Sequence, residues 1–93
     1  MSADEVNATP RVVLIGRPGC HLCDTARDVV QAVAGDLGLE WRELSILDDA
    51  ALAERYHDQV PVVMVDGELL DYWRVDERRL RKALTGRRWW RRA

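Results

Sequence analysis

The stretch GRPGCHLCDTARDVVQAV, residues 16–33, holds both cysteines of the chain, Cys20 and Cys23, in a CxxC spacing. Just before it, RVVLI (11–15) is a compact, β-branched run bounded by Gly16 and Pro18, which suits a buried strand. Just after it the hydrophobic period lengthens. Leu22, Ala26, Val29, Val30, Val33 and Leu37 recur at helical spacing on one face, with Asp24, Arg27, Asp28 and Gln31 opposite. The cysteines therefore stand where a strand gives way to a helix, and Gly38 is placed to end that helix in the left-handed conformation.

Outward from this point, LEWRELSI (39–46) reads as a second strand with an irregular alternation. Asp48 or Asp49 can cap a short helix running to Tyr56, with Leu52 and Tyr56 four apart. In VPVVMVDGELLDYW (60–73), two apolar runs flank Asp66-Gly67, and a type I′ hairpin turn needs positive φ at both of its central residues. Asp76 can cap a last helix, with Leu80, Ala83 and Leu84 inward and Gly86 as its stop. The order is β-α-β-α-β-β-α. The first two strands must be parallel, joined by a right-handed crossover, and the hairpin extends the sheet antiparallel. The fold class is α/β, a four-stranded mixed sheet with helices on both faces.

Ninety-three residues, 47% of them hydrophobic, make one small domain with its own core. The expected organisation is a flexible leader at 1–10, a folded domain at 11–86 and a basic tail at 87–93. MSADEVNATP lacks the positive and apolar regions of a signal peptide, and no run approaches the roughly 18 apolar residues of a membrane span. A cytoplasmic location is expected. There thiols are kept reduced, and a CxxC is more often catalytic or metal-binding than structural.

Charge is divided sharply. Residues 1–77 carry all 16 acids and six of the 14 bases, and the other eight bases follow from Arg78 onward. Such an acidic body with a basic end can attract an acidic partner, an anionic membrane or nucleic acid. The tail segment RRWWRR is too short for a stable amphipathic helix, and stacking of its arginines and tryptophans back on the domain is the preferred reading. Nucleic acid is not the expected partner.

A cysteine at a helix start meets unpaired backbone N–H groups and the positive end of the helix dipole, both of which favour thiolate. Such thiols fall from about 8.5 into a range of roughly 3.5 to 7.5. Cys23 lies one turn deeper. An exposed, ionised sulfur with a second sulfur behind it is what dithiol exchange requires. Arg17 and His21 flank the pair and can add positive charge. A zinc site needs four ligands, and only His21 and His57 are available to complete one. An inert buried pair is the other alternative, against which the glycine-rich entrance to the helix speaks.

Together with Val60-Pro61 ahead of the third strand, these residues resemble the thioredoxin superfamily, and within it the small glutaredoxin-like proteins. GRPGCHLC corresponds to the active-site segment and QVPVVMVDG to a cis-proline segment, so that residues 11–85 are covered. The resemblance implies a thioredoxin-like fold and a cis bond at Val60–Pro61. It places Arg17 where a lysine meets a glutathione carboxylate, and makes Val60 and Pro61 the main-chain docking edge. Asp71-Tyr72 stand where glutaredoxins carry two glycines, and Arg74 where they carry an acid. The expected function is dithiol–disulfide exchange, with Cys20 and Cys23 catalytic, Arg17, Val60 and Pro61 binding substrate, and Arg17 and His21 tuning Cys20. No cofactor is obligatory, and glutathione is a candidate reductant or co-substrate. The expected partners are a disulfide-containing protein and a thiol reductant or reductase, met by a monomer. The rival readings are a binding module that uses its basic tail, and a metal or iron–sulfur carrier.

Overall fold

β1 (Val12–Gly16) leads into α1 (His21–Leu37), and β2 (Trp41–Ser45) passes through a 3-10 turn at Ile46–Asp48 into the short α2 (Ala50–Tyr56). A hairpin of β3 (Val62–Val65) and β4 (Glu68–Tyr72) follows, and α3 (Glu77–Thr85) comes last. The computed structural model describes residues 10–86. All but the last residue of the expected leader, and the whole basic tail at 87–93, lie outside the described residues.

The sheet runs β2-β1-β3-β4. β1 pairs in parallel with β2, Val12 opposite Trp41 and Gly16 opposite Ser45. It pairs antiparallel with β3, Val12 opposite Val65 and Ile15 opposite Val62. β3 and β4 are antiparallel, with the register shifting between Val63 and Met64. The β-α-β-α-β-β-α order expected from the sequence is the order found, and this is the thioredoxin-like fold.

Local chemistry sets the ends of these elements. Gly38 sits at φ 68° and its N–H bonds back to the carbonyls of Ala34 and Gly35, ending α1. Asp66 and Gly67 both take positive φ, 53° and 84°, as the hairpin demands. Asp49 accepts from the N–H groups of Ala51 and Leu52 to start α2, and Asp76 accepts from Arg78 and Arg79 to start α3. Gly86 ends α3 in a right-handed conformation, its N–H bonded to Lys82 O at 2.8 Å.

Two expectations need correcting. The second strand is shorter than 39–46: it covers Trp41–Ser45, and the Ser45 hydroxyl accepts from Leu47 N to turn the chain at Ile46. β2 is an edge strand with β1 as its partner, so burial does not impose a clean alternation on it. Leu22 does not face inward but is exposed. The buried stripe of α1 is Cys23, Ala26, Val30, Val33 and Ala34, with a thiol as its first apolar member. One residue earlier is about 100° around a helix, which turns Leu22 outward.

Two clusters fill the interior. In the first, Val12, Leu14, Val63 and Val65 of the sheet meet Ala26, Val30 and Val33 of α1 and Leu80 and Leu84 of α3. The second joins Ile15 and Val62 to Cys23, Ile46, Tyr56 and Val60, with Leu52 and Ala53 of α2 against it. α1 and α3 thus cover one face and α2 the other. Trp41 packs, partly buried, against the first cluster.

Candidate active site

The chain leaves β1 at Gly16 and reaches Cys20 through Gly19, whose φ of 74° makes the turn into the helix. Cys20 is the N-cap of α1: its backbone is extended and its Sγ accepts the N–H of Cys23 at 3.3 Å. Burial by itself would push the Cys20 thiol up. Hydrogen bonds from the Cys23 thiol and from the N–H groups of Cys23 and Leu22, with the charge of Arg17, outweigh it and leave Cys20 below its ordinary value. The serine or aspartate usual at a helix cap is replaced here by a sulfur that collects the same donors.

Cys23 is treated in the opposite way. It is 1% exposed, and burial first, then its thiol's hydrogen bond to Cys20, push it up to about 11. The backbone N–H and the charge of Arg17 oppose that rise. Both cysteines are free thiols. Room for Cys23 is made by Gly16: a Cβ there would lie 2.9 Å from Cys23 Sγ and 3.3 Å from its Cβ. Gly16 escaped the sequence reading except as the end of a strand. A glycine seven residues before a deep cysteine is a faint signal, because the approach that requires it is tertiary.

Facing the helix start is the Val60–Pro61 peptide, which is cis, with Pro61 fully buried. The carbonyl of Pro61 accepts the N–H of Trp73 at 2.8 Å. Trp73 is anchored again through its indole Nε1, which donates to Asp58 O at 3.0 Å, and its ring meets that of Tyr72 edge-on at 5.0 Å. Its φ is 65°, a left-handed conformation uncommon for a bulky residue.

An open groove of about 480 Å³ runs between these parts, lined by Arg17, Cys20, Leu22, Val60, Tyr72, Trp73 and Arg74. Of the residues expected to form a site, it brings Arg17, Cys20 and Val60 together, with Cys23 and Pro61 buried behind them. His21 is exposed and is not part of the lining; the charge found acting on Cys20 is that of Arg17. Tyr72 and Trp73 wall the groove. Leu22 and Arg74 were not foreseen as lining. His57 is exposed beside Asp58 at 3.7 Å. Among the described residues no group of three or more His, Cys, Asp or Glu is placed to hold a metal ion.

A thioredoxin-like sheet with a CxxC pair at the entrance to its first helix and a cis-proline opposite defines a class, and sequence comparison narrows it. Residues 11–85 match the profile of the glutaredoxin-like domain (DUF836), and the chain belongs to that family. It is 35% identical to the uncharacterized protein Rv0508 of Mycobacterium tuberculosis, over 77% of this chain and 79% of that one. Among solved structures, the protein XcR50 of X. campestris matches with a TM-score of 0.67 at 37% identity, covering 81% of this chain and 96% of that chain. The glutaredoxin of Archaeoglobus fulgidus matches with a TM-score of 0.63 at 16% identity, over 88% of this chain and 94% of that one, a likeness of fold alone.

Proposed function

We propose that the protein is a dithiol–disulfide oxidoreductase in which Cys20 is the nucleophile and Cys23 the resolving thiol. The observation that carries this reading is the opposite treatment of two sulfurs one helical turn apart. Cys20 is reachable from the groove and held toward thiolate, whereas Cys23 is buried and keeps its proton up to about 11. An attacking sulfur has to be ionised and accessible, and a resolving sulfur has to wait.

The Cys20 thiolate attacks one sulfur of a substrate disulfide. A bond forms between Cys20 and that sulfur, and the other substrate sulfur leaves as a thiolate that takes a proton from water. Once bonded, Cys20 no longer carries the negative charge or accepts the hydrogen bond that hold the Cys23 proton in place. Cys23 then loses its proton, aided by the N–H and charge of Arg17, and attacks the Cys20 sulfur. The second substrate sulfur leaves as thiolate, and a Cys20–Cys23 disulfide remains. Two electrons have passed to the substrate, and a thiol reductant restores the dithiol by the reverse exchange.

Arg17 also offers a carboxylate a bidentate partner beside Cys20, and Val60, with the buried Pro61 next to it, forms the edge against which an extended substrate backbone lies. No bound cofactor is needed. Glutathione is a candidate reductant or co-substrate through its carboxylates. A reducing compartment such as the cytoplasm suits the chemistry, and no helix among the described residues is long and apolar enough to cross a membrane.

The test is the pH dependence of Cys20 alkylation in a Cys23→Ser variant, whose hydroxyl retains a donor, joined to equilibration of the wild-type dithiol with glutathione redox buffers. The expected results are a midpoint below about 8.5 and a reversible internal disulfide. An ordinary thiol midpoint without disulfide formation would falsify the redox reading and direct attention to a binding role.

A further inference from the structure

Beyond the sulfurs, the far wall of the groove is built with unusual care. Tyr72, Trp73 and Arg74 follow β4, and Trp73 holds a left-handed backbone at φ 65°. Conformations of that kind are costly for a bulky side chain and persist where the surroundings over-determine them. Here the Trp73 N–H is bonded to Pro61 O at 2.8 Å and its indole Nε1 to Asp58 O at 3.0 Å. Both acceptors flank Val60, so the wall is tied at two points to the segment that lines the groove opposite Cys20. Even so, 52% of Trp73 and 41% of Tyr72 stay exposed, which is apolar area left to a visitor.

Charge gives the visitor a sign. The lining holds two guanidiniums, Arg17 and Arg74, and no acid. Three of the seven described arginines outside the groove are paired with carboxylates: Arg11 with Asp66, Arg27 with Asp24 and Glu43, Arg81 with Asp36 and Glu77. Arg17 and Arg74 have no ion-pair partner among the described residues, although the domain is acidic overall.

We propose, resting on the redox reading above, that the Tyr72–Trp73–Arg74 wall together with Arg17 selects disulfides in acidic polypeptide segments that carry a bulky apolar side chain next to the reacting cysteine. The apolar side chain lies in the space between Leu22 and the Tyr72–Trp73 pair. Carboxylates on the flanking residues meet Arg17 and Arg74. Glutathione offers carboxylates but no large apolar group, and its ammonium meets no acid among the lining residues, so it fits this groove less well than such a segment.

Three peptide disulfides of one length decide the matter, the cysteine being flanked by Glu and Leu, by Lys and Leu, or by Glu and Ser. Initial rates are followed with dithiothreitol as electron donor, beside the uncharged hydroxyethyl disulfide. For the full-length protein at low salt, the Glu/Leu peptide is expected to exceed the Lys/Leu peptide by about tenfold in kcat/KM, with the ratio shrinking as salt is added. It should exceed the Glu/Ser peptide by roughly threefold or more. Arg74→Glu should bring the charge ratio to about one or below. Trp73→Gly suits the left-handed backbone and removes the ring, and it should erase the Leu-over-Ser preference while leaving the charge preference in place. Equal wild-type rates for the Glu/Leu and Lys/Leu peptides, with hydroxyethyl disulfide still reduced, overturn this selectivity and leave the redox reading standing. Failure to reduce any disulfide overturns both.

Discussion

On one face of the sheet, Val12, Leu14, Val63 and Val65 meet aliphatic side chains of α1 and α3, and no member of that cluster is more than 3% exposed. On the other face, Ile15 and Val62 meet Ile46, Tyr56, Val60 and the thiol of Cys23, and exposure rises to 7% at Ile46 and Val60 and 9% at Tyr56. The first cluster contains no atom that changes in a thiol exchange. The second contains one of the two reacting sulfurs and, through Val60, one wall of the groove. Cohesion and chemistry are thus placed on opposite sides of the same four strands, and the two can be disturbed separately.

The strongest way to separate them is at Cys20, which touches the groove and carries little of the packing. Cys20→Ser should lower disulfide reduction by more than about a thousandfold, because a hydroxyl of ordinary acidity replaces the thiolate. Its thermal midpoint should stay near that of the reduced wild-type protein. A large fall in midpoint would mean that the nucleophile is itself part of the core, contrary to the division drawn between the clusters.

The converse change is Leu80→Ala in the sealed cluster, where Leu80 is fully buried. Loss of its contacts and the remaining cavity should cost about 2–5 kcal/mol in denaturant unfolding. The pH midpoint of Cys20 alkylation, read below the unfolding transition, should not move. If it moves, the two faces are coupled through the sheet and the separation fails.

The parts of this molecule legible in its sequence are those fixed by the backbone chemistry of a few neighbouring residues. Gly38, Asp66-Gly67 and Asp76 could be assigned their turns and caps because positive φ and capping oxygens are local requirements. The place of Cys20 at a helix start was legible for the same reason. Relations across the fold were not. Leu22 has the period of a core residue, and only the position of Cys23 against the second cluster shows that the buried stripe begins one residue later. Trp73 takes positive φ because Pro61 and Asp58 hold it there, and no neighbour of Trp73 announces that. Gly16 reads as a strand end until the sulfur above it is seen.

That glycine sharpens the comparison at the seam between the two faces. Gly16→Ala sets a methyl 2.9 Å from Cys23 Sγ, a distance real side chains do not tolerate, so the sulfur or the strand must shift. Overpacking of this kind should cost about 1–3 kcal/mol, less than Leu80→Ala. Its distinctive effect is chemical. Displacing Cys23 weakens the thiol hydrogen bond that helps lower Cys20, so the alkylation midpoint of Cys20 should rise toward the ordinary thiol value. A midpoint unchanged beside a measurable loss of stability would mean that the helix N–H groups and Arg17 suffice, and that Cys23 only resolves.

The smallest expected effect is the contribution of the two thiols to stability as a function of pH, because their shifts have opposite signs. Cys20 is lowered in the folded state, so between its folded value and roughly 8.5 the unfolded chain holds a proton that the folded chain has released. Stability from Cys20 is therefore present above the ordinary thiol value and is lost as pH falls through the lowered one. Cys23 is raised to about 11, so above roughly 8.5 it is the folded chain that holds the extra proton. Its contribution is complete below the ordinary value and is lost as pH rises toward 11. Other titrating groups cancel to first order when the reduced wild-type protein is compared with Cys23→Ser by denaturant unfolding across pH 6 to 11. The wild-type curve should fall relative to the variant on the alkaline side, and Leu80→Ala should lower the whole curve without changing its shape. A difference curve that is flat above pH 9 would show that the second cluster does not hold the Cys23 proton, and the resolving thiol would then lose the feature that distinguishes it from the nucleophile.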